Sequence, residues 1–221
     1  RPFIRLKDTV LGFGNQKSKK PFQFAVTPLA DIHFGPRYKT EQKYGLGIQT
    51  EILWKKFFWR ATAVTGINNN TNVLISTNSY ILSNPNSKYG AYLDLRTRLS
   101  YTPNEVFNFQ IGIDHNYFGE GARSLWQGDY GVPNPFGQIK VNFWRIQYDI
   151  LYQFMRENID GSWRSKYATT HHLSVNATRW LNVSLFESVI FRPKTDGLNR
   201  GYELEYLNPV IFLRPQEYAI G

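Results

Sequence analysis

Apolar and polar residues alternate along most of the chain, and residues 89–101, YGAYLDLRTRLSY, carry the pattern furthest. Successive side chains of an extended chain point to opposite sides. Here the odd positions are Tyr89, Ala91, Leu93, Leu95, Thr97, Leu99 and Tyr101, and the even positions are Gly90, Tyr92, Asp94, Arg96, Arg98 and Ser100. One side is apolar and the other is polar and charged. A soluble sandwich would bury the apolar side, but its strands average about 5 to 6 residues, and this stretch runs unbroken for thirteen.

The alternation recurs. From Phe22 to Phe34 the even positions are apolar, with Pro28 predicting an edge or a bulge. Residues 44–54 alternate again, and after Lys55 and Lys56 the chain returns through Phe57, Trp59, Ala61 and Ala63, which predicts a hairpin with a very short turn. Residues 89–101 and 107–113 predict a second hairpin, and 139–143 with 146–154 a third that turns near Trp144. Residues 173–177 and 183–185 give a fourth; strict alternation would put Glu187 on its apolar side, so a bulge is expected near Phe186. About nine strands result, and the connections between hairpins, residues 67–88, 116–138 and 156–166, read as long loops.

Short turns alternating with long loops is the asymmetry of outer-membrane barrels, whose turns lie on the periplasmic side. The expected fold is therefore all-β, an antiparallel transmembrane β-barrel of the outer membrane, seen here as a partial chain of a larger barrel. Residues 1–21 read as a periplasmic N-terminal segment, residues 22–191 as barrel strands with long extracellular loops, and residues 192–221 as an extracellular loop region continuing into further strands. Dimensions agree with this reading. The apolar sides end in aromatics at Tyr44 and Trp54 and at Tyr89 and Tyr101, ten and twelve residues apart. At about 3.3 Å per residue and a tilt of roughly 40°, those pairs lie about 25 to 30 Å apart along the membrane normal, against an apolar band of ~25 Å between aromatic girdles. A large soluble β-sandwich or lipocalin-like barrel would use the same aromatics as core, but strands of this length are foreign to it.

Composition changes the picture only in part. Mean hydropathy is -0.43, and no apolar run approaches the ~18 residues a membrane helix needs, whereas barrel strands dilute each lipid-facing residue with a polar one. Aromatics make up 16% of the chain, in excess of what a soluble core needs. The net charge of +9 is spread over strands, turns and loops, without the basic helix or block that reads nucleic acid. With no cysteine there is neither a disulfide framework nor a thiolate metal site. The chain begins at Arg1 with no signal-like apolar segment, which reads as a mature product or a fragment.

Two stretches carry more than a pattern: NYFGEGARSLWQGDYGVPNPF in the loop after the second hairpin, and ELEYLNPVIFLRPQEYAIG near the end. Through Gly119, Glu120, Gly121, Arg123, Ser124 and Leu125 in the first and Tyr206, Leu207, Asn208 and Pro209 in the second, the chain resembles the Wzi-like family of bacterial outer-membrane barrel proteins. That family includes capsule-assembly proteins and RemB-like gliding-motility relatives in Bacteroidota. The resemblance implies a non-enzymatic protein of the bacterial outer membrane that binds or assembles capsule-type surface polysaccharide. The alternative is a scaffold or accessory subunit of a larger outer-membrane complex for gliding motility or protein secretion. Expected partners are outer-membrane lipid, surface polysaccharide and other outer-membrane proteins, with no nucleic acid.

In the first stretch Tyr117, Trp126 and Tyr130 offer aromatic faces beside the polar Glu120, Arg123 and Asp129, a set suited to a sugar ring's apolar face and hydroxyls. The competing reading is geometric: the glycines make tight turns, and Arg123 pairs with a carboxylate, Glu120, Asp94 or Asp114. No cofactor or metal is expected. His33, His115, His171 and His172 fall in no hydrolase or metal-ligand spacing; His171 and His172 point to opposite sides of one strand. A lipid hydrolase built on Ser174 and a histidine has proximity in sequence as its only support.

Overall fold

A computed structural model of the chain describes residues 22–35, 41–69, 80–81, 90–118, 133–159, 162–192, 194–195 and 198–199. Every regular element among them is a strand: β1 (Phe22–Gly35), β2 (Glu41–Trp54), β3 (Phe57–Asn68), β4 (Tyr80–Ile81), β5 (Gly90–Tyr101), β6 (Phe107–Asp114), β7 (Asn134–Phe143), β8 (Ile146–Ile159), β9 (Ser162–Asn176), β10 (Asn182–Phe191), β11 (Lys194–Thr195) and β12 (Leu198–Asn199). Nine of these follow one another as an antiparallel sheet in the order β1-β2-β3-β5-β6-β7-β8-β9-β10, with β4 paired to β5 at the side and β11 to β12 apart. β1 and β10 end this order without pairing to each other, so the described sheet is not closed. The sequence-predicted segments 1–21 and most of 192–221 lie outside the described residues.

The chain divides into two units, residues 1–101 with 112–133 and residues 102–111 with 134–221. In the first, β1 and β2 pair in unbroken register from Phe22 against Trp54 to Gly35 against Glu41. Pro28, opposite Ile48, makes no bulge; among the described residues its strand is paired on one side only, where a missing N–H is tolerated. The β2–β3 turn is Lys55–Lys56, with Lys55 at a φ of 52°. β3 pairs on to β5, Phe57 opposite Tyr101 and Asn68 opposite Gly90.

In the second unit β7 turns into β8 through Trp144 and Arg145, Trp144 taking a φ of 53°. β8 and β9 are longer than the alternation predicts. Residues 156–166, expected to be a loop, are mostly strand: the two strands pair without interruption from Ile146 against Val175 to Ile159 against Ser162. The stretch SWRSKYATTHH has no apolar side and so shows no period; its Thr and aromatic content favours extended backbone, and a complete ladder with β8 satisfies that backbone. The expected bulge near Phe186 is also absent, since β9 and β10 stay in register from Asn176 against Asn182 to Tyr167 against Phe191. Glu187 therefore stays on the side of Val183 and Leu185, opposite His171.

Burial follows the alternation with the sign inverted from that of a water-soluble fold. On β6 the apolar side is open, Phe109 40% and Ile111 59% exposed, while Asn108 and Gln110 on the other side are 0% and 1% exposed. On β5, Leu95, Leu99 and Tyr101 are exposed and Tyr92, Arg98 and Ser100 buried. β3 and β7 behave alike: Ile67, Ile139 and Phe143 are exposed, and Thr62, Asn68 and Gln138 buried. The upper parts of β8 to β10 depart from the rule. There the apolar side is covered too, with Tyr152, Val189 and Phe191 buried and Phe154 and Tyr167 packed against them.

Candidate functional site

In the first unit the polar side of β3 and β5 converges on the end of β6. Alternation brings Arg60 and Arg98 opposite each other across the β3–β5 ladder, and two adjacent guanidiniums need an anion between them. Asp114 supplies it: Oδ2 accepts from Arg60 Nη2 and from Arg98 Nε, each at 3.0 Å. Arg98 Nη2 also donates to the His115 carbonyl at 3.0 Å and to Asn116 Oδ1 at 3.1 Å, while the His115 amide donates to Asp114 Oδ1 at 2.8 Å. Arg98 and Asp114 are both buried. Asp94, two positions before Arg96 on the same side, lies 3.2 Å from the Arg96 Nε.

Nearer the other end of the ladder the aromatic ring of Tyr92 lies over paired glycines. Gly45 and Gly66 face each other across β2 and β3, and a Cβ on Gly45 would collide with the Tyr92 hydroxyl. The missing side chains leave a trough along which Tyr92 reaches from β5 to β1, where its hydroxyl donates to Asp31 Oδ2 at 2.9 Å. Lys43 completes the group, with Nζ 2.8 Å from Asp31 Oδ2 and 4.3 Å from the Tyr92 ring centroid.

The second unit holds a different polar row. His172 Nδ1 lies 3.2 Å from Asp149 Oδ2, to which Gln147 donates at 2.8 Å, and Lys140 Nζ is 3.9 Å from Asp149 Oδ1. On the opposite side of the sheet the Tyr148 hydroxyl and His171 Nδ1 are 2.6 Å apart. The adjacent histidines thus belong to separate groups on opposite sides, as the strand period requires. Ser174 bonds to Asn182, and among the described residues no three His, Asp or Glu side chains group as metal ligands.

Of the sequence-predicted ligand set only Tyr117 is described. It follows directly on the Arg98–Asp114–Asn116 cluster and is half-buried; Glu120, Arg123, Trp126, Asp129 and Tyr130 lie outside the described residues. Two carboxylates considered for Arg123 have arginines beside them already, Asp94 through Arg96 and Asp114 through Arg60 and Arg98. The Arg60–Asp114 and Tyr92–Asp31 contacts were missed because they join residues 54 and 61 positions apart. The signal that could have found them was the same-side placement of charges across predicted hairpins. No family model matches the chain, and neither a curated protein nor a solved structure matches it.

Proposed function

We propose that this sheet forms wall of an outer-membrane β-barrel, with its apolar side against lipid and its polar side toward the lumen. The observation that carries the reading is the inverted burial: Leu46 is 73% and Phe143 68% exposed, while Asp149 and Gln110 are each 1% exposed. In water that arrangement loses the hydrophobic contribution of about 25 cal/mol for each Å² left uncovered. In a bilayer the same surface is solvated by acyl chains, and pairing between neighbouring strands satisfies backbone groups that lipid cannot. The long stretches of sequence between β3 and β5 and between β6 and β7, the aromatic strand ends and the resemblance to Wzi-like proteins support a role in holding or assembling capsule-type surface polysaccharide. Tyr117 and the aromatic segment that follows it are the residues assigned to that ligand, and no chemical step is required of the protein.

Two measurements on the full chain test this. A folded barrel migrates differently on a gel before and after heating in detergent; a chain that stays soluble and monomeric without detergent would overturn the membrane reading. Purified protein should retain capsule-type polysaccharide, weakened when Tyr117 and Trp126 are replaced by Ser. Stable co-purification of other outer-membrane proteins with no glycan affinity would replace the polysaccharide role by that of a scaffold subunit in a gliding or secretion complex.

A further inference from the structure

Two adjacent turns of the second unit each present a tryptophan and an arginine, with both indoles exposed. Trp144 stands at a φ of 53°, a conformation in which a bulky L-residue is an outlier and for which Gly or Asn is the ordinary choice. It is 82% exposed and, among the described contacts, meets only the Arg145 guanidinium, 5.1 Å from the ring centroid. In the next turn Thr178 Oγ1 accepts from the amides of Trp180 and Leu181 at 3.3 and 3.0 Å, and the Thr178 amide donates to the Leu181 carbonyl at 3.2 Å. These bonds fix the loop so that Arg179 and Trp180 stand at its tip, Trp180 83% exposed. The two turns are joined: the Asn176 amide donates to the Arg145 carbonyl at 2.9 Å, and Arg145 Nη1 to the Ala177 carbonyl at 3.4 Å.

We infer that this turn pair binds the anionic headgroups of a phospholipid surface, the arginines taking the phosphate charge and the indoles the region between headgroup and acyl chain. The inference rests on the barrel reading and adds a choice of lipid to it. An amphipathic ring at the level of the headgroups would serve any lipid. The charge is what makes the choice: residues 143–147 and 177–186 contain Arg145 and Arg179 and no Asp or Glu. The patch continues directly into exposed apolar wall, Phe143 and Ile146 on one hairpin and Leu181 and Val183 on the other. A partner on this surface must therefore be apolar on one side and anionic at its rim, which is the cross-section of an acidic leaflet. The first unit repeats the chemistry in its own turn, where Lys55 at a φ of 52° has Nζ 5.5 Å from the exposed Trp54 ring.

The chain has no cysteine, so single labels can be placed at will. Ala177→Cys, carrying a fluorophore, reports the turn, and Ile111→Cys reports the middle of the wall. Each labelled full-length protein is inserted into phosphatidylcholine vesicles containing a small, equal fraction of spin-labelled phosphatidylglycerol or spin-labelled phosphatidylcholine as quencher. At low salt the label at 177 should be quenched more strongly by phosphatidylglycerol. The preference should fall about fivefold for each of Arg145→Gln and Arg179→Gln and shrink as salt is added, with the label at 111 quenched alike throughout. Equal quenching by the two lipids at 177 would overturn the inference, leaving an aromatic belt without charge selection. Quenching at 111 but none at 177 would also overturn it, assigning the turn pair to a protein partner. Quenching at neither position would mean that the barrel reading itself has failed.

Discussion

Asp114 is the residue whose replacement should tell most about the inside of the sheet. Its Oδ2 sits 3.0 Å from both Arg60 and Arg98, and the side chains of Arg98 and Asp114 are each 6% exposed. Asp114→Asn keeps the shape and removes the charge. Arg98 then retains the His115 carbonyl and Asn116 Oδ1 as acceptors, but the buried cation loses the counter-charge of Asp114. Breaking a buried pair in this way costs about 3 to 5 kcal/mol. The lower figure, ~3 kcal/mol, applies here because two neutral acceptors remain and Arg60, at 16% side-chain exposure, is within reach of water. Arg98→Met leaves Asp114 with Arg60 and the His115 amide, and should cost less, about 2 kcal/mol.

The double replacement Arg98→Met with Asp114→Asn removes the charge and its partner together. Arg60 keeps a carboxylate neighbour in Glu51, its partner across the β2–β3 ladder. The double variant should therefore be more stable than the sum of the two single losses by about 2 kcal/mol, the range expected of residues sharing one network. Urea unfolding of the full chain in detergent micelles, followed by tryptophan fluorescence at constant m, measures each corner of the cycle. Additivity to within about 0.5 kcal/mol would refute the reasoning, since it would mean that water, not Asp114, satisfies Arg98.

Three further outcomes are expected in the same assay. Tyr92→Phe removes one hydrogen bond, at about 1 kcal/mol, whereas Gly45→Val drives a side chain into the Tyr92 hydroxyl and should cost more; adding Tyr92→Ala should recover part of the Gly45→Val loss, and no recovery would mean that the trough has no part in it. Trp144→Gly should stabilise the protein in detergent by about 1 kcal/mol, because glycine adopts a positive φ without the penalty borne by an L side chain; a loss of stability would show that Trp144 packs. Glu187→Leu continues the apolar side of Val183 and Leu185, yet it should destabilise by about 1 kcal/mol because Glu187 stands opposite the buried His171; a gain would show that Glu187 faces lipid.

Strand existence was legible wherever one side of the strand was apolar and the other was not. β1, β2, β5 and β6 were readable from that contrast alone, within three residues at each end, while β3, read as far as Ala63, runs on to Asn68 into the stretch expected to be a loop. β9 was half-legible: Leu173 and Val175 announce its last part, while Trp163 to His172 mix aromatics, cations and hydroxyls on both sides. The tertiary context there decides, since β8 supplies a ladder on one side and β10 on the other. Glu187 shows the complementary case. The break in the pattern was visible, and a bulge is the local way to remove a charge from an apolar side. The chain instead keeps its register and surrounds that position with His171, opposite Glu187, and Tyr148, which is bonded to His171. A side-chain solution leaves no trace in the period of its own strand. The site was less legible still, because Asp114 and Arg60 meet only after three strands have been laid side by side.

The surplus of basic residues that marks the sequence takes on meaning only when each charge is located. Among the residues of the first unit whose side chains are described, the cations Lys43, Arg60, Arg96 and Arg98 on the polar side stand among the carboxylates Asp31, Glu51, Asp94 and Asp114, four against four, so that set is neutral in sum. A neutral, internally bonded row fixes strand neighbours and offers no net field to draw an ion through. At the turns 55–56, 102–106, 144–145 and 177–181 the balance differs: Lys55, Lys56, Arg145 and Arg179 stand against Glu105 alone. Charges there are solvated, contribute little to folding, and keep their long-range attraction for anions. The positive balance of the described strands is thus separated by place, with paired charges along the polar side of the strands and exposed cations at those turns.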